Sequence, residues 1–239
     1  MTNGVIATIG GASSAAVTQV GAALAVLLHT GLRPVGPVDG LQAGTNIEDI
    51  LREIDAADIS LTVVADGAGI EQAAGHLISA SPKPIVVVPA TPATRRPLVI
   101  ARVLLPLDGT WEAAAAVAPT AELLTNAGVD LIVLHVFDEA TVPRFWDQAA
   151  HARRAWEDEF RARYCRHPGV RVRLRSGAPG EHVVSVAADE NVDLITLGWA
   201  QRLDLHRART VRQTVTKARV PVMLMPVSRP ATDQPANHA

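Results

Sequence analysis

Val103-Leu104-Leu105-Pro106-Leu107-Asp108-Gly109-Thr110-Trp111 is the stretch that decides the fold. Five apolar residues, short and with no polar alternation, read as a strand buried on both faces. A carboxylate, a glycine and a threonine follow, so the strand ends in a tight turn and Thr110 is placed to cap a helix. That helix is expected over Trp111 to Leu124, with Pro119 as a member that should kink or shorten it. A second apolar run, Leu131 to Val136, comes next. Strand, turn, helix and strand in this order are one parallel crossover unit.

The same grammar extends in both directions. Val5 to Ile9, Asp193 to Leu197 and Val220 to Met225 are further buried-strand runs, while Val170 to Leu174 alternates with Arg171 and Arg173 and has one wet face. Helical stretches at Ser13 to Leu28, Arg144 to Tyr164 and Glu181 to Asp189 separate them. The stretch from Arg144 carries an apolar stripe of Phe145, Ala149, Ala152, Trp156 and Phe160, expected to be core. The expected class is α/β with right-handed crossovers. A proline-rich segment, Pro89-Ala-Thr-Pro-Ala-Thr-Arg-Arg-Pro97, divides the chain. Its two sides repeat one another. Ala57-Asp58-Ile59-Ser60-Leu61 parallels Val192-Asp193-Leu194-Ile195-Thr196, and Lys83-Pro84-Ile85-Val86-Val87-Val88-Pro89 parallels Val220-Pro221-Val222-Met223-Leu224-Met225-Pro226. The division is a shortened first domain at 1–92, a linker at 93–100, a second domain at 101–228 and a disordered tail at 229–239. The first copy lacks a counterpart of the long helix. Pairing of Ile85 to Val88 with Val222 to Met225 would make the chain a pseudo-dimer, with homo-oligomers optional. One continuous sheet would count against two lobes.

Composition narrows the function. The chain has 239 residues, with 22 Lys and Arg against 24 Asp and Glu, a balance that gives no bulk attraction to nucleic acid or to an acidic membrane. The longest strongly apolar stretch, Ala22 to Leu28, is short of the ~18 residues a spanning helix needs, and no secretion signal is visible. A cytoplasmic protein is expected. The single Cys165 excludes a disulfide framework and a cysteine-rich metal site. The eight histidines are scattered without a His-Glu-x-x-His unit, and no nucleophile, base and orienting group stand together. No catalytic residue and no metal ligand is assigned. His135 reads as a buried, hydrogen-bonded histidine near the cleft, and Cys165 as an ordinary thiol that Arg161, Arg163 and Arg166 could draw toward the thiolate.

Five signals in order carry a resemblance. They are Asp108-Gly109-Thr110 before an Ala-rich helix, Leu134-His135-Val136, Gly177-Ala178-Pro179-Gly180, Val192-Asp193-Leu194-Ile195-Thr196-Leu197-Gly198, and Val220-Pro221-Val222. Their order and spacing resemble the universal stress protein family over about residues 101 to 228, and in degraded form over about 3 to 91. The resemblance implies two tandem open parallel-sheet domains of three-layer α/β/α, adenine nucleotide alpha hydrolase-like type. It also implies a binding or regulatory role toward ATP or another adenine nucleotide. Asp108 and Gly109 would then receive the adenine or ribose end, Val136 would offer backbone groups beside the base, and Gly198 would open the phosphate loop. Nucleotide-binding members carry Gly-x-x-Gly followed at a fixed interval by Gly-Ser or Gly-Thr. This chain reads Gly198-Trp199-Ala200-Gln201 and later Ala208-Arg209-Thr210, so only the first glycine survives.

Loss of those glycines puts side chains where backbone amides would approach phosphate. Arg207 and Arg209 are candidate clamps in their place and Thr210 a hydroxyl donor, giving a weakened or altered anion site; the alternative is a solvated basic helix face. In the first copy Gly10 stands where Asp108 stands in the second, Gly67-Ala68-Gly69 has no basic residue near it and follows Asp66, and Gly10-Gly11-Ala12-Ser13-Ser14 resembles the pyrophosphate loop of nucleotide-activating enzymes only with Ser13 in place of that loop's Asp. That half is expected to be structural. The reading is a non-catalytic protein that binds a small nucleotide or modulates a regulated protein. Its alternatives are an assembly scaffold that has lost nucleotide binding and a slow ATP hydrolase.

Overall fold

The computed structural model describes residues 4–9, 14–35, 46–66, 73–90, 98–165, 169–199 and 206–227. In the first half, β1 (Val5–Ile9), α1 (Ser14–Leu28), β2 (Gly31–Pro34), α2 (Ile47–Ile54), β3 (Ile59–Ala65), α3 (Ala73–Ala80) and β4 (Ile85–Val88) follow one another. The second half contains β5 (Arg102–Pro106), α4 (Trp111–Asn126), β6 (Asp130–Phe137), α5 (Ala150–Tyr164), β7 (Arg171–Ser176), α6 (Pro179–Asp189), β8 (Leu194–Trp199), α7 (His206–Lys217) and β9 (Val222–Pro226). The nine strands form one sheet in the order β2-β1-β3-β4-β9-β8-β5-β6-β7.

Strand direction divides that sheet. Pairing is parallel within β1 to β4 and within β5 to β9, and antiparallel only where β4 meets β9, with Ile85 opposite Leu224, Val86 opposite Met223 and Val87 opposite Val222. The sheet is therefore continuous in its hydrogen bonds, which the sequence reading had set against two lobes, yet its polarity reverses at the edge pairing that the same reading anticipated. From the seam outward, β9-β8-β5-β6-β7 and β4-β3-β1-β2 run through corresponding strands. Among the described residues, the first half has no counterpart of α5 or β7.

Helix placement follows from crossover handedness. Moving outward from β5 through β6 to β7 puts α4 and α5 on one face, and returning to β8 and β9 puts α6 and α7 on the other. Their apolar sides bear this out. Val117 and Phe160 pack with Val103, Leu105 and Val133 on one face, while Val183 and Val211 pack with Leu104, Ile132 and Leu134 on the other. In the first half α1 shares the face of α4, and α2 and α3 share that of α6 and α7. Antiparallel seam strands with helices kept on matching faces describe a pseudo-twofold axis normal to the sheet. One buried bond crosses the seam: the indole Nε1 of Trp199 donates to the carbonyl of Ile78 at 3.2 Å.

Two helix expectations need correction. Helix α5 starts at Ala150, not Arg144, because Phe145 adopts φ 61 and breaks the helical path after Pro143. Phe145 is exposed, Trp156 is at the margin, and Trp146 with Phe160 supplies the buried aromatic surface instead. Helix α4 passes through Pro119 to Asn126 without being shortened. Pro119 faces outward, where the ring is tolerated and the missing amide bond costs least. The glycine loops at 10–13 and 67–69, the segment 200–205 and the tail from 228 lie outside the described residues.

Candidate functional site

All strands of the second half are parallel, so β5, β6 and β8 deliver their carboxyl ends to one edge of the sheet. The chain leaves β5 toward β6 and leaves β8 toward β9, so the connections diverge between β5 and β8 and open a crevice there. Asp108, Gly109 and Thr110 stand at the β5 end of it. Oδ1 of Asp108 accepts from the Thr110 amide at 3.0 Å and from the Thr110 hydroxyl at 2.6 Å. The Thr110 oxygen accepts from the Ala113 amide at 3.3 Å and caps α4. The turn and cap roles expected of these residues are thus filled, and they hold the exposed Asp108 carboxyl at the helix N-terminus.

Gly109 is fixed by two requirements. Its φ is +78, and a Cβ there would stand 3.0 Å from Cε1 of His135. The His135 ring is buried, with Nδ1 2.9 Å from the Leu107 carbonyl, stacked on Phe160 at 4.7 Å and edge-on to Phe137 at 4.7 Å. A carbonyl only accepts, so Nδ1 carries the proton. Burial pushes the imidazole below its ordinary value, against the opposing pull of the Leu107 bond and of the Asp108 and Asp138 charges. His135 is therefore a wall beneath the turn whose burial favours the neutral imidazole.

Val136 is half-buried near the end of β6, in register with Arg175. Gly198 lies inside β8, opposite Met225, one residue before the strand ends. A Cβ on it would meet Val227 at 3.2 Å, so close packing against the chain leaving β9 accounts for glycine there. Gly198 is followed by Trp199, which ends the strand and is buried against α3, and the segment after it, 200–205, lies outside the described residues. Helix α7 begins near the same edge. Ala208 and Val211 face the core, Arg209 is exposed and Thr210 half-buried, so Arg209 stands on the outward flank of the first turn. The Arg207 side chain lies outside what is described.

The opposite edge carries features that the sequence reading missed. Asp193 Oδ2 accepts from the amides of Ala101 and Arg102 at 3.0 and 2.9 Å. Asp130 pairs with Arg102 at 2.8 Å and Arg171 at 2.6 Å, and Glu190 pairs with Arg171 at 2.9 Å and Arg173 at 2.7 Å. The hydrogen bond from Arg171, chiefly, holds Asp130 below the usual carboxylate range, and that from Arg173 does the same for Glu190. The only sequence signal was alternation of Arg171 and Arg173 on a strand, which does not name partners. Cys165 fits the ordinary-thiol reading, and the nearby arginines do not draw it toward the thiolate. Burial raises it to about 11, outweighing the Arg161 charge. Among the described residues no group of three or more His, Cys, Asp or Glu could hold a metal, and no helix is long and apolar enough to cross a membrane.

None of the curated proteins compared with the sequence matches it. The chain resembles the crystal structure of a universal stress protein from Archaeoglobus fulgidus DSM 4304, with 17% identity over 90% of this chain and 76% of that one, and a TM-score of 0.57. It resembles a solved structure assigned to the same family from Pseudomonas aeruginosa UCBPP-PA14, at 16% identity over 93% of this chain and 81% of that one, with a TM-score of 0.56. A universal stress protein solved in complex with cAMP aligns with 54% of this chain and 98% of its own, at 17% identity and a TM-score of 0.39. Likeness at the first two levels establishes the fold. The universal stress protein family model matches residues 100–226, more than half of the sequence, and the chain belongs to that family.

Proposed function

We propose that this protein acts by binding, without turnover, and that the second half carries a modified adenine-nucleotide or anion site at the crevice between β5 and β8. The observation that supports it is the meeting of Asp108 and the amino end of α4 with the amino end of α7 at one diverging sheet edge. A carboxylate at Asp108 suits a ribose hydroxyl or an exocyclic amine. Arg209, Thr210 and the first turn of α7, which holds no acidic residue, suit a phosphate. Arg207, at the second position of α7, belongs to the same proposal. Val136 and Gly198 would border the base and the phosphate loop. In this reading residues 1–92 form a shortened structural lobe, 93–100 a linker and 101–228 the ligand-binding lobe.

Isothermal titration with ATP tests it. Binding at or below millimolar concentration, weakened about tenfold or more in Asp108→Ala and in Arg209→Ala, is expected. Absence of heat at millimolar ATP removes the proposal. A second reading, assembly with no ligand, draws on one observation: Asp108 Oδ1 is already engaged by Thr110. A defined oligomer with no ATP heat would favour it.

A further inference from the structure

A cavity of about 450 Å³ lies between α4 and the carboxyl end of α5. Its floor is Leu105 and Leu107 of the β5 segment with Leu131 and Val133 of β6. Its α4 wall is kept low by alanine, at positions 114, 115, 118 and 121, where larger side chains would fill the gap between the helices. From Trp111 to Glu122 the wall runs about 16 Å by helical rise. Volume and apolar lining are those of a small-molecule pocket.

Its polar groups are unevenly placed. Pro119 has no N–H, so the Ala115 carbonyl has no donor one turn on, and it points along the helix toward the level of Pro119 and Glu122. The Glu122 carboxylate is exposed on the same stripe and has no ion pair among the described residues. Arg161, the cation beside Cys165, is held by Asp158 at 2.6 Å and the Val170 carbonyl at 3.3 Å. The Cys165 thiol is neutral at physiological pH. One end of an apolar channel therefore presents two acceptors, one of them charged, and the other runs toward the half-exposed indole of Trp111.

We infer that this groove binds the hydrocarbon chain of a cationic amphiphile, with its ammonium head at Glu122 and the Ala115 carbonyl and its chain directed toward Trp111. Charge selects the head, because an anionic head would meet the Glu122 carboxylate. The site lies between α4 and α5 and does not rest on the nucleotide reading, and its Trp111 end adjoins the Asp108–Thr110 turn.

Titration calorimetry with dodecylamine, dodecanol and dodecanoate, each below self-association, tests the inference on the full chain. The amine is expected to bind saturably and at least about tenfold more tightly than the carboxylate. Glu122→Gln should bring the amine down to the level of the alcohol. Ala115→Trp, at an exposed position, should abolish binding with an unchanged circular dichroism spectrum, and Ala118→Leu should weaken it. Maleimide labelling of Cys165, the chain's single thiol, should slow when the amine is bound. No saturable binding, carboxylate binding as tight as the amine, or an amine affinity unaltered by Ala115→Trp in a folded protein would overturn it.

Discussion

Gly109 joins the backbone requirement of a turn to the packing requirement of a buried ring. Alanine there must adopt φ +78 and place its Cβ 3.0 Å from the His135 ring. A non-glycine residue in the left-handed region costs of order 1–3 kcal/mol, and His135 cannot retreat without breaking its bond to Leu107 or its stack on Phe160. Gly109→Ala is expected to lower the unfolding free energy by about that amount in urea titration. An unchanged midpoint would show that the turn relaxes freely. The turn was legible from Asp108-Gly109-Thr110, since each residue type has a local reason to be there. The ring beneath it was not, because nothing in Leu134-His135-Val136 says that His135 meets a glycine 26 positions earlier in the chain.

At the scale of elements, strands were easier to read than helix ends. Buried parallel strands announce themselves as unbroken apolar runs, and the edge strand β7 shows its wet face through Arg171, Arg173 and Arg175. The start of α5 was misplaced because Phe145 to Phe160 keeps a helical stripe while a single residue at φ 61 departs from the helix. Periodicity is blind to one dihedral. Gly198 shows a related limit: its place near a strand end was legible, but not that β8 runs on through Trp199 into the seam. The seam supplies a prediction. Trp199→Phe keeps the ring but leaves the buried Ile78 carbonyl without its donor, at a cost of about 1–3 kcal/mol in urea unfolding followed by circular dichroism. No loss would mean that the Trp199 bond adds nothing to the pairing and apolar packing that join the two halves.

For the whole molecule, the repeated proline-flanked strands Ile85 to Val88 and Val222 to Met225 were legible as a pairing, and the antiparallel sense that the structure gives it makes the arrangement pseudo-twofold. What the sequence did not disclose is the ion-pair network at the far edge, whose members lie on β5, β6, β7 and the turn after α6. Partners so distant in sequence leave no spacing to read. Asp130 and Glu190 have depressed values in the folded chain, so unfolded carboxylates bind protons first as acid is added. Their contribution is present above the unfolded range near ~4 and lost as pH falls through the folded values. Urea midpoints between pH 7 and pH 3 should therefore fall more steeply for the natural chain than for a variant carrying Asp130→Asn and Glu190→Gln. Parallel decline would show that the network does not contribute.

The two halves share a sheet but are not proposed to share a site: among the described residues, β5 and β8 end beside both a carboxylate, Asp108, and the start of the Arg-bearing helix α7. A crystal structure grown with ATP addresses that most directly. Nucleotide density is expected at the carboxyl ends of β5 and β8, with the base side at Asp108 and the phosphates at the start of α7. Density at the ends of β1 and β3 instead, or none under saturating ATP, would contradict it.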